Sequence, residues 1–150
     1  MANMMKRVPV AEQEPKVRAK NFEEVCLGYS DAEAKEEAER CLNCKNPKCV
    51  VGCPVSIQIN DFISQIKEGN IEKAADIIAE SSALPAVCGR VCPQETQCEG
   101  VCIRGIKGEP VSIGKLERYV ADWAREHNYV AAKAGVPNGK KVAVIGAGPS

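Results

Sequence analysis

This chain lacks an excess of either positive or negative charge, because its 20 Lys and Arg residues are balanced by 20 Asp and Glu residues. The balance gives no electrostatic reason to expect nucleic acid or a membrane surface as a partner. Apolar runs are too short to span a bilayer, and the N-terminal stretch MANMMKRVPVAEQEPK lacks the apolar core of a signal peptide. The only histidine, His127, falls in a helical pattern and offers no case for catalysis. We therefore expect a cytoplasmic protein.

Cysteine, by contrast, is abundant, with nine residues in a chain of 150. Eight of them fall into two runs. The first run, from Cys41 to Cys53, has the spacing C-x2-C-x4-C-x3-C and is followed by Pro54. The second run, from Cys88 to Cys102, has the spacing C-x3-C-x5-C-x3-C. Structural disulfides are rare in a reducing cytosol, and an odd number of cysteines cannot be fully paired. The two runs therefore indicate metal binding.

Zinc and iron-sulfur clusters are the two metal groups that such runs can hold. A structural zinc site takes four ligands, often as two widely separated C-x2-C pairs. This chain has a single C-x2-C pair, and the other gaps between cysteines are longer. A 4Fe-4S cluster is larger than one ion and needs thiolates spread around a loop, which fits the longer gaps. The spacing therefore favours iron-sulfur clusters over zinc.

The proline after the first run suggests how two clusters could divide the cysteines. In bacterial ferredoxins, the cysteine before such a proline binds the other cluster. By the same rule, one cluster would be held by Cys41, Cys44, Cys49 and Cys102. The second cluster would be held by Cys53, Cys92 and Cys98 together with a fourth ligand, either Cys88 or Glu117.

Glu117 is a candidate because of its position in the helical pattern of residues 111–128. At about 100° per residue, it lies beside Ile113 and Val120 on the apolar side of this helix. A carboxylate that faces a core is costly unless something pairs with it. A salt bridge to Arg90 or Arg104, or exposure of the carboxylate at the surface, would satisfy it without metal. A bond to iron is the functional alternative.

The remaining patterns predict an all-α fold. Ser30 and Glu33 form an S-x-x-E capping box, which predicts the start of a helix. We expect a polar, extended N-terminal arm over residues 1–29 and a helical iron-sulfur domain over residues 30–134. Residues 135–150 are expected to form a linker and the first strand and turn of a truncated, Rossmann-like FAD-binding domain.

Three stretches together resemble one known family. NFEEVCLGYSDAEAKEEAERCLNCKNPKCVVGCPVSIQI, LPAVCGRVCPQETQCEGVCIRG and GEPVSIGKLERYVAD occur in this order. They closely resemble the N-terminal iron-sulfur domain of the NADPH-dependent glutamate synthase small (beta) subunit family. The same domain is shared with the NADPH-binding subunit of electron-bifurcating NADH-dependent ferredoxin:NADP oxidoreductase and with dihydropyrimidine dehydrogenase. The resemblance covers nearly the whole chain and implies an α-helical ferredoxin-like domain with two 4Fe-4S clusters.

The same resemblance implies which residues serve each cluster. One set consists of the positions that match Cys41, Cys44, Cys49 and Cys102. The other set consists of the positions that match Cys53, Cys92 and Cys98, with a Gln or Glu ligand at the position of Glu117. The resemblance therefore favours Glu117 over Cys88 as the fourth ligand. Cys88 would then be a small apolar residue near the cluster.

The last residues, VIGAGPS, match the beginning of the family's FAD-binding motif. Gly146 and Gly148 would let the backbone approach the pyrophosphate of the cofactor. The third small residue of the motif and the helix that follows it are absent. We therefore expect that the chain of 150 residues binds neither FAD nor NADPH by itself and is not catalytic by itself.

For the full-length protein, the resemblance implies part of an NADPH-dependent oxidoreductase of glutamate biosynthesis. Its two 4Fe-4S clusters would relay electrons between FAD and NADPH and a partner. That partner would be the glutamate synthase large subunit or an equivalent flavin or ferredoxin protein. One alternative is the equivalent domain of an electron-bifurcating ferredoxin:NADP oxidoreductase. An alternative of another class is a zinc-stabilised helical module that docks a partner and has no redox role.

Overall fold

The computed structural model describes residues 4–131, 135–143 and 145–146. The described chain is mostly helical, so the helical fold class expected from the sequence is confirmed. Its helices are α1 (Pro15–Arg18), α2 (Asp31–Glu39), α3 (Lys48–Gly52), α4 (Ile59–Glu68), α5 (Ile71–Ala79), α6 (Pro85–Val91) and α7 (Ile113–Glu126). Two short 3-10 turns, Gln94–Thr96 and Ile103–Ile106, lie between α6 and α7. A small antiparallel ladder of β1 (Ala11–Glu12) and β2 (Cys26–Gly28) is an addition to the expected fold.

The helix boundaries follow from local chemistry in the sequence. The predicted capping box is present at the start of α2, where the Ser30 hydroxyl accepts from the Glu33 backbone and the Glu33 carboxylate accepts from the Ser30 backbone. Helix α4 ends at Gly69, whose φ of 80° lies in the left-handed region that glycine adopts without strain. These local signals fix the two helices that flank the first cysteine run.

The core lies between α2, α4, α5 and α7. The apolar positions of each helix point inward at helical spacing, which buries one stripe of each. The side chains that are almost fully buried are Phe62, Ile63, Ile66, Ile78, Leu116, Val111 and Val120. This core holds the helices in place, while the cysteine runs lie in the shorter segments at its edge.

Residues 5–29 are tied to the helical body by several bonds. Ala11 is paired with Gly28 in the small ladder, and the Tyr29 hydroxyl donates to the Val8 carbonyl oxygen at 2.7 Å. The Glu109 backbone N–H donates to the carbonyl oxygen of Met5 at 2.9 Å. The N-terminal segment therefore packs against the chain after the second cysteine run.

The C-terminal residues were expected to begin a strand and an FAD-binding turn. Val142 and Ile145 are exposed, and neither belongs to a strand in the described part of the chain. Gly146 has a φ of 111°, whereas Gly148 lies outside the described residues. Within those same limits, no helix has the length and apolarity needed to cross a bilayer.

The two phenylalanines offer a direct test of this core. Phe62 in α4 is 0% exposed, and Phe22 is fully exposed. We expect Phe62→Ala to lower the free energy of unfolding by about 3–5 kcal/mol, because it leaves a cavity in a packed interior. Phe22→Ala should change the free energy by no more than about 0.5 kcal/mol. Denaturant unfolding of both variants, followed by circular dichroism, measures the difference. Equal destabilisation by the two would contradict the placement of α4.

Candidate metal centre

Four cysteines from the two runs line a single cavity. Cys41 follows the end of α2, Cys44 lies just beyond it, Cys49 lies in α3, and Cys102 precedes the second 3-10 turn. The cavity contains about 420 Å³ of space free of protein atoms and is partly open to solvent. Its apolar walls include Ile59, Ile63, Val111 and Ile113. The structure thus brings together the four cysteines of the first predicted ligand set.

The thiols of this first group are shielded from water and lie close to one another. Burial raises the pKa of Cys41 above the usual value of a thiol, and the neighbouring thiolates of Cys102 and Cys44 act in the same direction. Burial also raises the pKa of Cys49 to about 11, with further contributions from Cys41 and Cys102. In the absence of metal, the thiols of Cys41 and Cys49 are therefore protonated at neutral pH. Binding of metal would release those protons.

Two cations cap the C-terminal end of α2 beside the cavity. Lys67 Nζ donates to the carbonyl oxygen of Cys41 at 2.7 Å. Arg104 Nε donates to the carbonyl oxygen of Arg40 at 2.6 Å. Carbonyl oxygens at the end of a helix carry partial negative charge, which cations stabilise. Because Arg104 is close in sequence to Cys102, this bond ties the second cysteine run to the start of the first.

A second group contains the other predicted donors, Cys53, Cys92, Cys98 and Glu117. Burial raises the pKa of Cys98 to about 12, and the charges of Cys53 and Glu117 contribute to this rise. Burial likewise raises the pKa of Cys92 to about 11, and Glu117 and Cys53 again lie near enough to contribute. The same two neighbours thus act on both thiols. The structure therefore places Cys53 and Glu117 near both Cys92 and Cys98.

Each member of the second group comes from a different element. Cys53 caps the end of α3, and Cys92 caps the end of α6. Cys98 follows the first 3-10 turn, and Glu117 lies in the second turn of α7. The close packing of α6 on α7 depends on Gly89, because a Cβ there would lie 2.7 Å from the Arg118 backbone nitrogen. This contact places the end of α6 next to Glu117.

Glu117 is buried without a compensating partner. Its side chain belongs to a residue that is 7% exposed, and Oε1 accepts no hydrogen bond from any described residue. Burial raises the pKa of this carboxyl to about 7. The two arginines considered as partners are engaged elsewhere. Arg90 bonds Glu24 and Asp122, and Arg104 bonds the Arg40 carbonyl oxygen.

Cys88 lies in α6, one turn before Cys92. Its thiol is close enough to bond the Cys92 thiol, and the Cys88 charge helps to raise the pKa of Cys92 after the larger effect of burial. The Cys88 backbone carbonyl accepts from Gln94 Nε2 at 3.0 Å. Cys88 and Glu117 therefore both lie near Cys92, and geometry alone does not separate them as ligands.

The four cysteines of the first group lie around a cavity instead of meeting at one point. Among the residues that the structure describes, no three His, Cys, Asp or Glu side chains converge as ligands of a single ion would. Soft thiolates are the donors that iron-sulfur clusters use. In the second group, the unpartnered oxygen of Glu117 supplies a free acceptor beside three thiols. The residues present fit iron-sulfur clusters in both groups.

A buried polar network near the cysteine runs was not singled out by the sequence patterns. Glu37 and Arg40 are both 0% exposed, and their side chains are joined at 2.5 Å. The Glu37 carboxylate accepts from the backbone N–H groups of Val8 and Ser112. The signal was present in the sequence, because Glu37 shares the helical face of buried Ala34 and should have been placed inward.

The raised pKa of Glu117 predicts a pH-dependent stability of the iron-free protein. Between pH 4.5 and about 7, this carboxyl ionises in the unfolded chain but stays protonated in the folded one. The free energy of unfolding of the parent therefore falls as pH rises through this window. We expect Glu117→Gln to be more stable than the parent by about 3 kcal/mol above the window, and equally stable below it. Denaturant unfolding of both proteins at several pH values measures this difference in the free energy of unfolding.

The control is Glu126→Gln, at an exposed site of the same helix, whose difference from the parent should not depend on pH. A constant difference between Glu117→Gln and the parent at all pH values would contradict the burial of Glu117.

Comparison with known proteins adds independent information. Residues 18–129 match the family model described as dihydropyrimidine dehydrogenase domain II, 4Fe-4S cluster. The chain is 42% identical over 147 residues to the glutamate synthase [NADPH] small chain of Escherichia coli, covering 97% of this chain and 31% of that protein. The corresponding protein of Halomonas elongata is 40% identical over 149 residues, covering 95% of this chain and 32% of that protein.

A third relative is named for a different activity. The NAD-dependent dihydropyrimidine dehydrogenase subunit PreT of Escherichia coli is 38% identical over 129 residues, covering 86% of this chain and 31% of that protein. The chain thus spans about a third of the length of these relatives. With cysteine groups that fit iron-sulfur clusters and a family match over most of its length, the chain belongs to the dihydropyrimidine dehydrogenase domain II family of 4Fe-4S cluster domains.

Proposed function

We propose that this domain binds two 4Fe-4S clusters and transfers electrons through them. The first cluster is held by Cys41, Cys44, Cys49 and Cys102. The second is held by Cys53, Cys92, Cys98 and Glu117. The observation that carries the proposal is the meeting of these residues in two groups, each of which takes members from both cysteine runs.

Because the two runs exchange ligands, the folded chain is needed to assemble each cluster site. Cys102 belongs to the second run but lies in the first donor group. Cys53 belongs to the first run but lies in the second donor group. Neither group is complete until the chain has folded, so cluster binding stabilises the folded arrangement. The same exchange places the two groups next to each other, at opposite ends of the short helix α3.

A 4Fe-4S cluster, when bound, accepts and donates one electron at a time, at a potential that depends on its surroundings. The residues of this chain set those surroundings. In the second group Cys98 and Glu117 are buried, whereas Cys53 and Cys92 are half-buried, and the first group lies in a cavity that is partly open. A carboxylate ligand is harder than a thiolate, which distinguishes the second cluster from the first. The two clusters therefore have different potentials.

For the longer protein, we propose a relay between a nucleotide- and flavin-binding part and a partner. The names of the relatives support this, because two are small chains of an NADPH-dependent glutamate synthase. A small chain implies a large one, so we infer that the partner is a glutamate synthase large subunit or an equivalent protein. The electron-bifurcating ferredoxin:NADP oxidoreductase stays the alternative. Gly146 and Gly148 would belong to the FAD-binding turn of that longer protein.

Metal analysis of anaerobically prepared protein tests the proposal against the zinc-stabilised module. Two clusters require about eight irons and eight acid-labile sulfides per chain, because each 4Fe-4S cluster has four of each. We expect a brown sample with this content and little zinc. A colourless, folded protein with stoichiometric zinc would show that the domain is a zinc-stabilised module. About four irons per chain would reduce the proposal to a single cluster.

Substitution of the two candidate ligands tests the second set. We expect Glu117→Ala to alter the electron paramagnetic resonance signal of one reduced cluster only, because it removes a ligand. Cys88→Ser should leave both signals unchanged, since the hydroxyl replaces a thiol that binds no iron. Iron content measured beside the spectra shows whether a cluster is lost or only altered. The reverse pattern, with Cys88→Ser disturbing one cluster and Glu117→Ala neither, would assign the site to Cys88.

A further inference from the structure

Glu99, the residue after Cys98, is a buried carboxylate with two defined partners. The residue is 5% exposed. One oxygen, Oε1, accepts from the backbone N–H of Gly114 at 3.1 Å. The other, Oε2, accepts from Arg7 Nη2 at 2.6 Å. Burial of an ionised carboxylate is costly unless the group is paired and hydrogen-bonded in this way.

The bond to Gly114 connects the segment of Cys98 with the helix of Glu117. Gly114 lies in the first turn of α7, where backbone N–H groups have no partner within the helix. Glu117 follows one turn later, on the side that faces Cys98. The Glu99 carboxylate therefore holds the start of α7 against the loop, and it sets the position of Glu117 relative to the Cys98 thiol.

Arg7 reaches this carboxylate from the N-terminal segment. Its guanidinium also donates through Nε to the carbonyl oxygen of Pro110 at 3.0 Å, and its backbone N–H donates to Glu109 Oε2 at 2.7 Å. These bonds anchor Arg7 on the chain that runs into α7. The only cation joined to Glu99 in the described structure thus comes from a residue more than 90 positions earlier in the sequence.

We propose that Arg7 and Glu99 form a positioning pair for the second cluster. Glu99 fixes Cys98 relative to Glu117, and Arg7 balances the negative charge that Glu99 would otherwise place beside this group. The inference rests on the proposed ligand set. It adds that Arg7, which supplies no ligand, shifts the potential of the second cluster and not that of the first.

The charges predict the direction of each effect. Reduction adds an electron, so an unbalanced negative charge nearby disfavours it, and an unbalanced positive charge favours it. Removing the charge of Arg7 leaves the Glu99 carboxylate unbalanced and lowers the potential of the second cluster. Removing the charge of Glu99 leaves the Arg7 guanidinium unbalanced and raises the potential of the second cluster. A role in packing alone would not give opposite signs.

The experiment measures the potentials of both clusters in the anaerobic, cluster-loaded chain, by redox titration followed by electron paramagnetic resonance. The variants are Arg7→Gln, Glu99→Gln and the double substitution. We expect the equilibrium constant for reduction of the second cluster to fall by about threefold to tenfold in Arg7→Gln and to rise by a similar factor in Glu99→Gln. A tenfold change corresponds to about 59 mV for a one-electron couple. The double variant should lie between the two.

Arg18→Gln is the matched control. Arg18 is also an N-terminal arginine paired with a glutamate, and its side chain is 38% exposed, against 35% for Arg7. Its partner Glu12 belongs to β1, away from the cysteine runs. This variant should leave both potentials unchanged. If Arg7→Gln loses iron, Arg7→Lys should restore it and the potential of the second cluster, since it keeps the charge.

The outcomes separate this inference from the proposed function. A parent protein without a second cluster would contradict the ligand set itself. A parent with both clusters, in which the pair variants shift neither potential or shift both alike, would overturn the positioning role and leave the ligand set intact. Loss of all iron from Arg7→Gln that Arg7→Lys does not reverse would also overturn it.

Discussion

The buried ion pair between Glu37 and Arg40 is the interaction on which the arrangement of the cysteine runs depends. Both side chains are 0% exposed, at the end of the helix that leads into Cys41. Arg40 donates to the backbone carbonyl oxygens of Glu109 and Pro110, which follow the second run. Desolvation of two charges is costly, and it is offset here by hydrogen bonds to backbone groups that would otherwise be unsatisfied. The first cysteine run is thereby fixed to the end of the second.

That constraint explains how ligands so distant in sequence can share one site. Arg104 bonds the Arg40 carbonyl oxygen, which brings Cys102 to the cavity of the first run. Tight packing at Gly89 brings the end of α6 to α7, which places Cys92 beside Glu117. Each donor group is thus assembled by contacts that contain no ligand. Thiolates that lie close together repel one another, so the surrounding contacts hold the donors in place.

The charged residues around the two groups differ in sign. Lys67 and Arg104 lie beside the first group, and each bonds a backbone carbonyl oxygen there. Glu99 and Glu117 lie beside or within the second, with Arg7 as the balancing cation. Negative surroundings disfavour the reduced form of a cluster and positive surroundings favour it. If both proposed clusters are bound, these charges separate their potentials.

Several local features of the fold could be predicted from the sequence. The capping box at Ser30 and Glu33, the apolar stripe of α4 and the stop at Gly69 each depend on residues a few positions apart, and each is present in the structure. The inward position of Glu117 also followed from helical periodicity alone, and it is buried as expected. The division of the cysteines came from their spacing and from the family resemblance, and it stays a prediction. The structure places Cys41, Cys44, Cys49 and Cys102 around one cavity.

The sequence by itself determined the helical class, the cysteine spacing and the side of α7 on which Glu117 lies, because these depend on neighbours within a few residues. Tertiary structure decided the rest. The segment in which the second cysteine run begins contains helix α6, which is held by its packing on α7. The N-terminal segment forms a ladder and delivers Arg7 to Glu99. The burial of Arg40 and Glu99 depends on partners that are 69 to 92 residues away along the chain, and no local pattern specifies contacts at that distance.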